Sequence, residues 1–338
     1  MSTPKYLLAL TVAVAIVASV RAAEPLTIYF IDVEGGQSTL VVTPERRAIL
    51  IDAGWSAANN RDADRIQAAA RDAQVTAIDY LLLTHFHEDH AGGVAEIARR
   101  LPVKTFVDYG EPIETGTFSE APFKTYAEAR ARGQQLHPKP GERITLNDVE
   151  LDVISAGGTL TKNPLQGVTK SANAACASAP APRGGDTGEN PRSLGVRLRF
   201  GRFSFLDVGD LSGANLFGLA CPDNLLGHSD VYLVPHHGNA DTAMPAVIRA
   251  VSPRIAVFNS GVNKGGDPLA FAALKDARIT EVWQLHRSRR AADANAADRF
   301  VANVADTPDA AAWLKLTAER DGSFSMTNGR TGETKEYR

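Results

Sequence analysis

The chain has 338 residues, 44% of them apolar and 22% charged, which is ordinary for a folded globular protein and long enough for one large core or two modest ones. Its formal net charge of −3 excludes a protein that grips nucleic acid by bulk positive charge, though not one with a local basic patch. Beyond the N-terminal segment, no stretch is apolar enough to span a membrane.

Residues 1–22 read as a secretory signal peptide. Lys5 is a lone positive charge, Tyr6 to Val20 is apolar, and Val20-Arg21-Ala22 offers a cleavage site after Ala22. The apolar run is shorter than the ~20 residues a bilayer span needs, so cleavage rather than anchoring is expected. Loss of Lys5 and Arg21 takes the net charge from −3 to −5. Residues 23–338 form one domain in this reading, because no linker divides them, and the protein is expected to be exported, to the periplasm.

Leu26 to Val33 alternates like a strand, and Gly35-Gly36 breaks it. Ser38–Thr43 and Ala48–Ile51 read as a hairpin. Asp64–Ala73 is helical in pattern, and Ile78–Leu83 is a short apolar run of the kind that forms a buried strand. That run feeds Thr84-His85-Phe86-His87-Glu88-Asp89-His90, followed by Gly92-Gly93 and a helical period over Val94–Leu101. Val103–Asp108 and Leu146–Ser155 read as strands, with a helix around Tyr126–Gly133 between them. Ala156 to Arg192 is rich in Gly, Ala, Ser, Asn and Pro without periodicity, which marks an insertion at about 156–193. Leu194–Phe200 and Phe203–Val208 pair through Gly201-Arg202. Val231–Val234 and Ile255–Asn259 are further strands, Ala243–Val251 and Asp267–Asp276 further helices, and Trp313–Ala318 with Ser323–Thr327 a last hairpin. The order fits two sheets packed face to face with helices outside, a four-layer αββα sandwich of the α/β class. Cys176 and Cys221 are expected to pair in an oxidising compartment, although two unpaired residues would satisfy the sequence as well.

His-x-His-x-Asp-His carries the chemistry. Divalent metals such as zinc take imidazole and carboxylate ligands, and His85, His87, Asp89 and His90 converge at the end of a buried strand. The segment is too tight to serve one tetrahedral ion. It divides more naturally into His85 and His87 for one metal, and Asp89 and His90 for another. One or two Zn2+ ions are expected, with Mn2+ an alternative.

Thr84-His85-Phe86-His87-Glu88-Asp89-His90-Ala91-Gly92-Gly93 resembles the signature of the metallo-β-lactamase superfamily. Ile49–Gly54 resembles that superfamily's first motif, which implies that Asp52 supports the metal ligands from behind. Leu206–Leu211 resembles the motif whose Asp bridges both metals, here Asp210. Leu233–Gly238 resembles the last motif, which implies His236 as the ligand completing the second metal and His237 beside substrate. Phe30–Thr39 is similar to a segment of the hydrolase domain of ComEC-type DNA-uptake proteins, and the likeness extends over about residues 26–330. That branch implies a phosphodiester substrate, with nucleic acid an allowed partner. Two positions depart from the pattern. Between His90 and Asp210 the only histidine is His137, with Asn190 or Ser193 near the expected place, so the first metal would rest on His85, His87 and Asp210 plus water. Asp267 stands where the branch often has a histidine.

The implied reaction is hydrolysis by a metal-bound hydroxide, with Asp89 or Asp210 accepting its proton. A lactone, β-lactam or thioester would suit the same centre, and a non-catalytic periplasmic binding protein on a degenerate fold is the reading from another class. Asp32 is expected to orient a metal-bound histidine, and His286 with Arg287, Arg289 and Arg290 to offer a phosphate grip. Lys170, Arg183 and Arg192 are the candidates for a groove that offsets the acidic charge.

Overall fold

A computed structural model describes residues 24–56, 59–180, 182, 186–307 and 311–338; the expected signal peptide and Arg183 lie outside them. Two nine-stranded sheets face one another. The first runs from the terminal strand Thr334–Tyr337 through Phe324–Asn328, Leu314–Ala318, Leu26–Phe30, Thr39–Val42, Ala48–Ile51, Ile78–Leu82 and Val103–Val107 to Gln134–Leu136. The second runs from Val301–Asn303 through Val282–His286, Ile255–Phe258, Val231–Leu233, Phe203–Asp207, Gly195–Phe200 and Val149–Ala156 to Arg143–Leu146, with Thr159–Leu160 paired to Val149–Ala156. Each sheet has an antiparallel half made of hairpins and a parallel half made of crossovers.

Period-two alternation sorts the side chains into layers. Along the first strand Leu26, Ile28 and Phe30 enter the core between the sheets, where they meet Leu198, Phe205, Val257 and Trp283. Tyr29 and Ile31 face the other way, under the helices Arg61–Asp72, Val94–Arg100 and Glu120–Arg130. The outer face of the second sheet is covered by Gly213–Gly218, Pro245–Val251 and Pro268–Asp276. Three apolar layers between four layers of structure make the αββα arrangement.

Some boundaries differ from the sequence reading. The strand expected over Leu146–Ser155 is a hairpin, Arg143–Leu146 with Val149–Ala156, because Asn147 takes a left-handed φ of 54° and reverses the chain. The helix expected around Tyr126–Gly133 starts earlier, at Glu120, and ends at Arg130. Within the insertion, Ser171–Ala172 pairs with Asp223–Asn224, and Cys176 and Cys221 beside that pair are joined in a disulfide. No helix among the described residues is long and apolar enough to cross a membrane.

Candidate metal centre

The site lies where parallel strands of both sheets end. Ile78–Leu82 delivers Thr84 to His90, Phe203–Asp207 delivers Asp210, and Val231–Leu233 delivers the His236-His237 pair. His85 and His87 are two residues apart just past the strand, and their rings meet edge to face with centroids 4.6 Å apart. The short helix Glu88–Ala91 then turns Asp89 and His90 back toward them. Gly36 allows its loop to close over this turn: a Cβ there would stand 2.3 Å from the Asp89 carbonyl oxygen.

Asp89, His90, Asp210 and His237 form one buried cluster whose ligand atoms all lie within 4.8 Å of one another. His90 Nε2 is 3.3 Å from Oδ2 of both Asp89 and Asp210, His237 Nε2 is 3.1 and 3.3 Å from the same two oxygens, and the two Nε2 atoms are 3.3 Å apart. Four donors around a tetrahedral zinc, with bonds of ~2.0–2.1 Å, stand ~3.3–3.4 Å from each other. The donor set therefore has the spacing a single ion requires. Asp210 Oδ1 and His237 Nδ1 are buried with no hydrogen-bond partner, and two imidazole nitrogens directed at each other cannot both be satisfied by protons. The residues fit a metal.

The imidazoles are held from behind. Asp52 accepts from His90 Nδ1 at 2.7 Å and from Thr84 through both its backbone N–H and its hydroxyl, at 2.8 and 2.7 Å. His87 Nε2 bonds Glu114 Oε2 at 2.9 Å, which leaves His87 Nδ1 directed at His85 Nε2, 3.0 Å away. Glu114 is held in turn by the Ser119 hydroxyl at 2.6 Å and the Glu189 N–H at 2.9 Å. Electrostatics divide these side chains. Burial and the charge of His90 press the proton affinity of His85 well below the ordinary imidazole range. Burial opposes a charge on His90 too, but Asp210, Asp89 and Asp52 outweigh it and hold its imidazolium well above that range. Asp89 and Asp210 stay ionised far below the usual carboxylate range because His90 and His237 beside them outweigh their burial.

The sequence reading favoured His236 as the ligand, but it is His237 that the structure brings into the cluster. His237 is fully buried in the cluster, whereas His236 is 18% exposed and its Nδ1 bonds Asp241 at 2.9 Å. Gly265, at φ 71°, explains the depth of His237: a Cβ there would meet the His237 carbonyl oxygen at 2.3 Å. Asp32 does not reach a cluster histidine. It pairs with Arg65 at 2.8 Å and His286 at 2.9 Å, the latter fully buried. Arg287, Arg289 and Arg290 are each occupied by a carboxylate, Asp298, Asp306 and Asp267, so they form no open phosphate grip. Asp267 also caps the helix Pro268–Asp276 by accepting from Leu269 N–H.

Four polar partners escaped the sequence reading. Glu114 lies in a loop with no periodicity to flag it. Lys264, beyond the strand Ile255–Phe258, ion-pairs with Asp89 and stands 4.8 Å over the Trp55 ring. Gln37 joins the sheets by donating to Asp207 at 3.0 Å and accepting from Asn259 at 3.1 Å. Asp241 follows the histidine pair by four residues, a spacing only the turn geometry makes meaningful. A cavity of about 790 Å³ lies apart from the cluster; Lys139, Arg143, Lys162 and Arg192 are among its walls. A smaller one of about 280 Å³ shares Arg192 and reaches Asp241. Lys170 takes no part in either, being paired with Asp223 at 3.1 Å.

Residues 31–167 match the model of the metallo-beta-lactamase superfamily, a span that holds all four residues of the His-x-His-x-Asp-His segment. A hydroxyacylglutathione hydrolase of Xanthomonas axonopodis pv. citri is 34% identical over 119 residues, 35% of this chain and 36% of that protein. The counterpart in Xanthomonas euvesicatoria pv. vesicatoria is 32% identical over 118 residues, again 36% of its length. The chain thus matches about a third of the length of these curated relatives. Among solved structures, the metallo-beta-lactamase fold protein YhfI from Bacillus subtilis is 12% identical, with 77% of this chain and 96% of that one covered and a TM-score of 0.47. The family match and the paired mixed sheets identify the architecture as the metallo-β-lactamase fold.

Proposed function

We propose that the protein is an exported metal-dependent hydrolase acting on phosphodiesters. The observation that carries the hydrolase reading is the buried set Asp89, His90, Asp210 and His237, spaced for one tetrahedral ion. A zinc or manganese ion held there would supply a water of lowered pKa and a Lewis acid for the substrate oxygen. The chain's own groups do the rest. Asp52 fixes the His90 ring so that Nε2 faces the cluster, where a metal would take the place of its proton, and Glu114 orients Nδ1 of His87 in the same way. Asp210 Oδ1, buried and without a partner, is placed to take the proton of the attacking water.

Two features favour an anionic substrate. Lys264 is 32% exposed beside the cluster; once Asp89 serves a metal, its ammonium is free to meet a phosphoryl oxygen. Arg192 stands where the two cavities adjoin, and the larger one carries further cations in Lys139 and Lys162, a path for an extended anion despite the acidic net charge. The disulfide agrees with export, since such bonds persist in oxidising compartments. A second reading, thioester hydrolysis, is favoured by the partial match to hydroxyacylglutathione hydrolases. Turnover of bis-p-nitrophenyl phosphate, a lactone and an acylated thiol should be compared on protein reloaded with zinc or manganese. Faster phosphodiester turnover, abolished in Asp210→Asn, is expected. A higher kcat/KM on the thioester or lactone overturns the substrate assignment, and inertness on all three overturns the enzyme.

A further inference from the structure

Among the described residues, the buried arginines each face a carboxylate: Arg65 pairs with Asp32 at 2.8 Å, Arg130 with Asp108 at 3.0 Å and Arg197 with Asp152 at 3.1 Å. Half-buried Arg192 does not follow them. It takes part in no ion pair among the described residues, its Nε is buried without a hydrogen-bond partner, and its guanidinium carbon stands 5.5 Å over the Tyr109 ring. Glu189, the acid bonded to the Tyr109 hydroxyl, also accepts Ile113 N–H at 2.6 Å and Glu114 N–H at 3.3 Å, so its oxygens are engaged elsewhere. A partly desolvated charge with no counter-charge is unusual, because nothing in the protein compensates the water it has lost.

The backbone fixes Arg192 beside the metal centre. It ends the turn Asn190–Arg192, with its N–H on the Glu189 carbonyl and its carbonyl on Gly157 N–H, both at 2.9 Å. The next residue, Ser193, accepts the Asp210 N–H at 3.3 Å. Gly157 and Gly158, at left-handed φ of 58° and 84°, pass beside the guanidinium; a Cβ on them would lie 3.8 Å from Nη2 and 3.7 Å from Nη1. This turn brings no side chain to shield either terminal nitrogen. Arg192 is in the walls of both cavities. In the smaller it is the only cation among the described residues, and Ser212, just past Asp210, and Asp241, which holds His236 at 2.9 Å, carry that wall to the centre. The other acid there, Asp186, accepts from Gly188 N–H at 2.8 Å and the Asn190 side chain at 2.9 Å. In the larger cavity Lys139 and Lys162 extend the positive charge, while Asp152 is shared by Arg143, Arg197 and Arg199 and Glu142 accepts the Lys139 N–H at 2.9 Å.

We propose that Arg192 anchors a second anion site, which takes the phosphate adjoining the scissile one in a chain of phosphodiesters. This rests on the phosphodiester reading and narrows it: the substrate carries at least two phosphates, one at the metal centre and one at Arg192. The ring of Tyr109 supports the face of the guanidinium, which leaves its planar edge for the paired hydrogen bonds that arginine makes to phosphate oxygens. An incoming phosphate supplies the counter-charge that the protein itself withholds. With a net charge of −3 the chain as a whole does not attract a polyanion, so local cations decide where one binds.

The test is equilibrium binding by titration calorimetry on the full chain, with metal removed so that neither probe is cut. The probes are the dinucleotide thymidylyl-thymidine, with one phosphate, and its 5′-phosphorylated form, with two. Wild type should bind the phosphorylated form about 10-fold more tightly. Arg192→Gln should bring the two probes to within about twofold of each other, and Arg192→Lys, which keeps the charge but not the fork, should fall between. Circular dichroism checks the fold of both variants, and the second serves if the first perturbs it. Lys170→Gln, at a residue that lies in neither cavity, should keep the whole preference. A folded Arg192 variant of either kind that keeps the full wild-type ratio overturns the site, as does a wild type that binds the two probes equally or binds neither. A wild type that shows the preference, yet cuts neither probe once reloaded with zinc or manganese, overturns the phosphodiester reaction and leaves the anion site standing, which separates the two failures.

Discussion

Both oxygens of Asp52 are engaged, one on the Thr84 N–H and the other on the Thr84 hydroxyl and His90 Nδ1. Its left-handed φ of 58° turns the carboxylate back under the site. Asp52→Asn keeps the shape but replaces one acceptor with a donor, so the His90 tautomer is no longer enforced. Metal affinity at the Asp89–His90–Asp210–His237 set should fall by about 10–100-fold, measured by chelator competition. Glu114→Ala should weaken binding at His87 to a similar degree, about 10-fold or more, and with little effect on stability, because the Glu114 side chain is 33% exposed. Of these two carboxylates the first was legible in the sequence, sitting in a motif of fixed order. The second was not, since its loop approaches His87 only through the fold. The choice between His236 and His237 was likewise beyond a linear reading. Adjacent residues in the same motif differ in burial, and His237 is the one packed closely against Gly265, nearly thirty positions on.

The elements with strict alternation or helical period were read to within a few residues, the strands at Leu26, Ile78, Phe203, Val231 and Ile255 among them. Those that gave no sign are edge elements with little apolar pattern, such as Gln134–Leu136, whose three residues are all exposed, and Thr334–Tyr337. The insertion of 156–193 has almost no regular structure, and what fastens it is covalent. The Cys176–Cys221 bridge joins it to the turn after Gly213–Gly218, closing a separation of 45 residues. In the chain-entropy account a loop of that size contributes about 3–4 kcal/mol. Cys176→Ser with Cys221→Ser should lower the unfolding free energy by roughly that amount in denaturant titration, with the metal set intact, because neither cysteine touches it. A loss under about 1 kcal/mol would mean that the short Ser171–Ala172 pairing and the apolar contacts of Cys176 hold the insertion without the bond.

At the scale of the whole molecule, two sheets with separate outer cores must keep their strand ends in register if ligands from both are to meet. Polar ties across the gap do this at the site end. Gln37 spans Asp207 and Asn259, and His286, ending a strand of the second sheet, binds Asp32 and Glu34 of the first at 2.9 and 3.4 Å, with Arg65 bracing both acids. Burial works against the charged form of His286, but its bonds to Asp32 and Glu34 overcome this and raise its pKa to about 9, while His286 and Arg65 bring Glu34 down to about 2 against its own burial. The ordinary histidine value is 6.5, so the raised folded value makes the His286 contribution complete below pH 6.5 and lost as pH rises through 9. Glu34, ordinarily 4.5, contributes fully above that value and loses its contribution as pH falls toward 2. The tie is therefore strongest between about pH 4.5 and 6.5, and stability should decline above that window by at most about 1.4 kcal/mol per pH unit from this group. Buried Asp207 adds a slope of the same sign lower down, since burial lifts it to about 7 and its ionisation is resisted as pH rises toward that value. The two are separated by His286→Gln, which should be less stable than wild type at pH 6 and converge on it near pH 10, leaving the Asp207 slope in place. Denaturant midpoints of both proteins across pH 5 to 10, with metal removed from each, measure the difference directly. A gap between them that does not change with pH would show that His286 joins the sheets by packing alone and carries no charge in the folded protein.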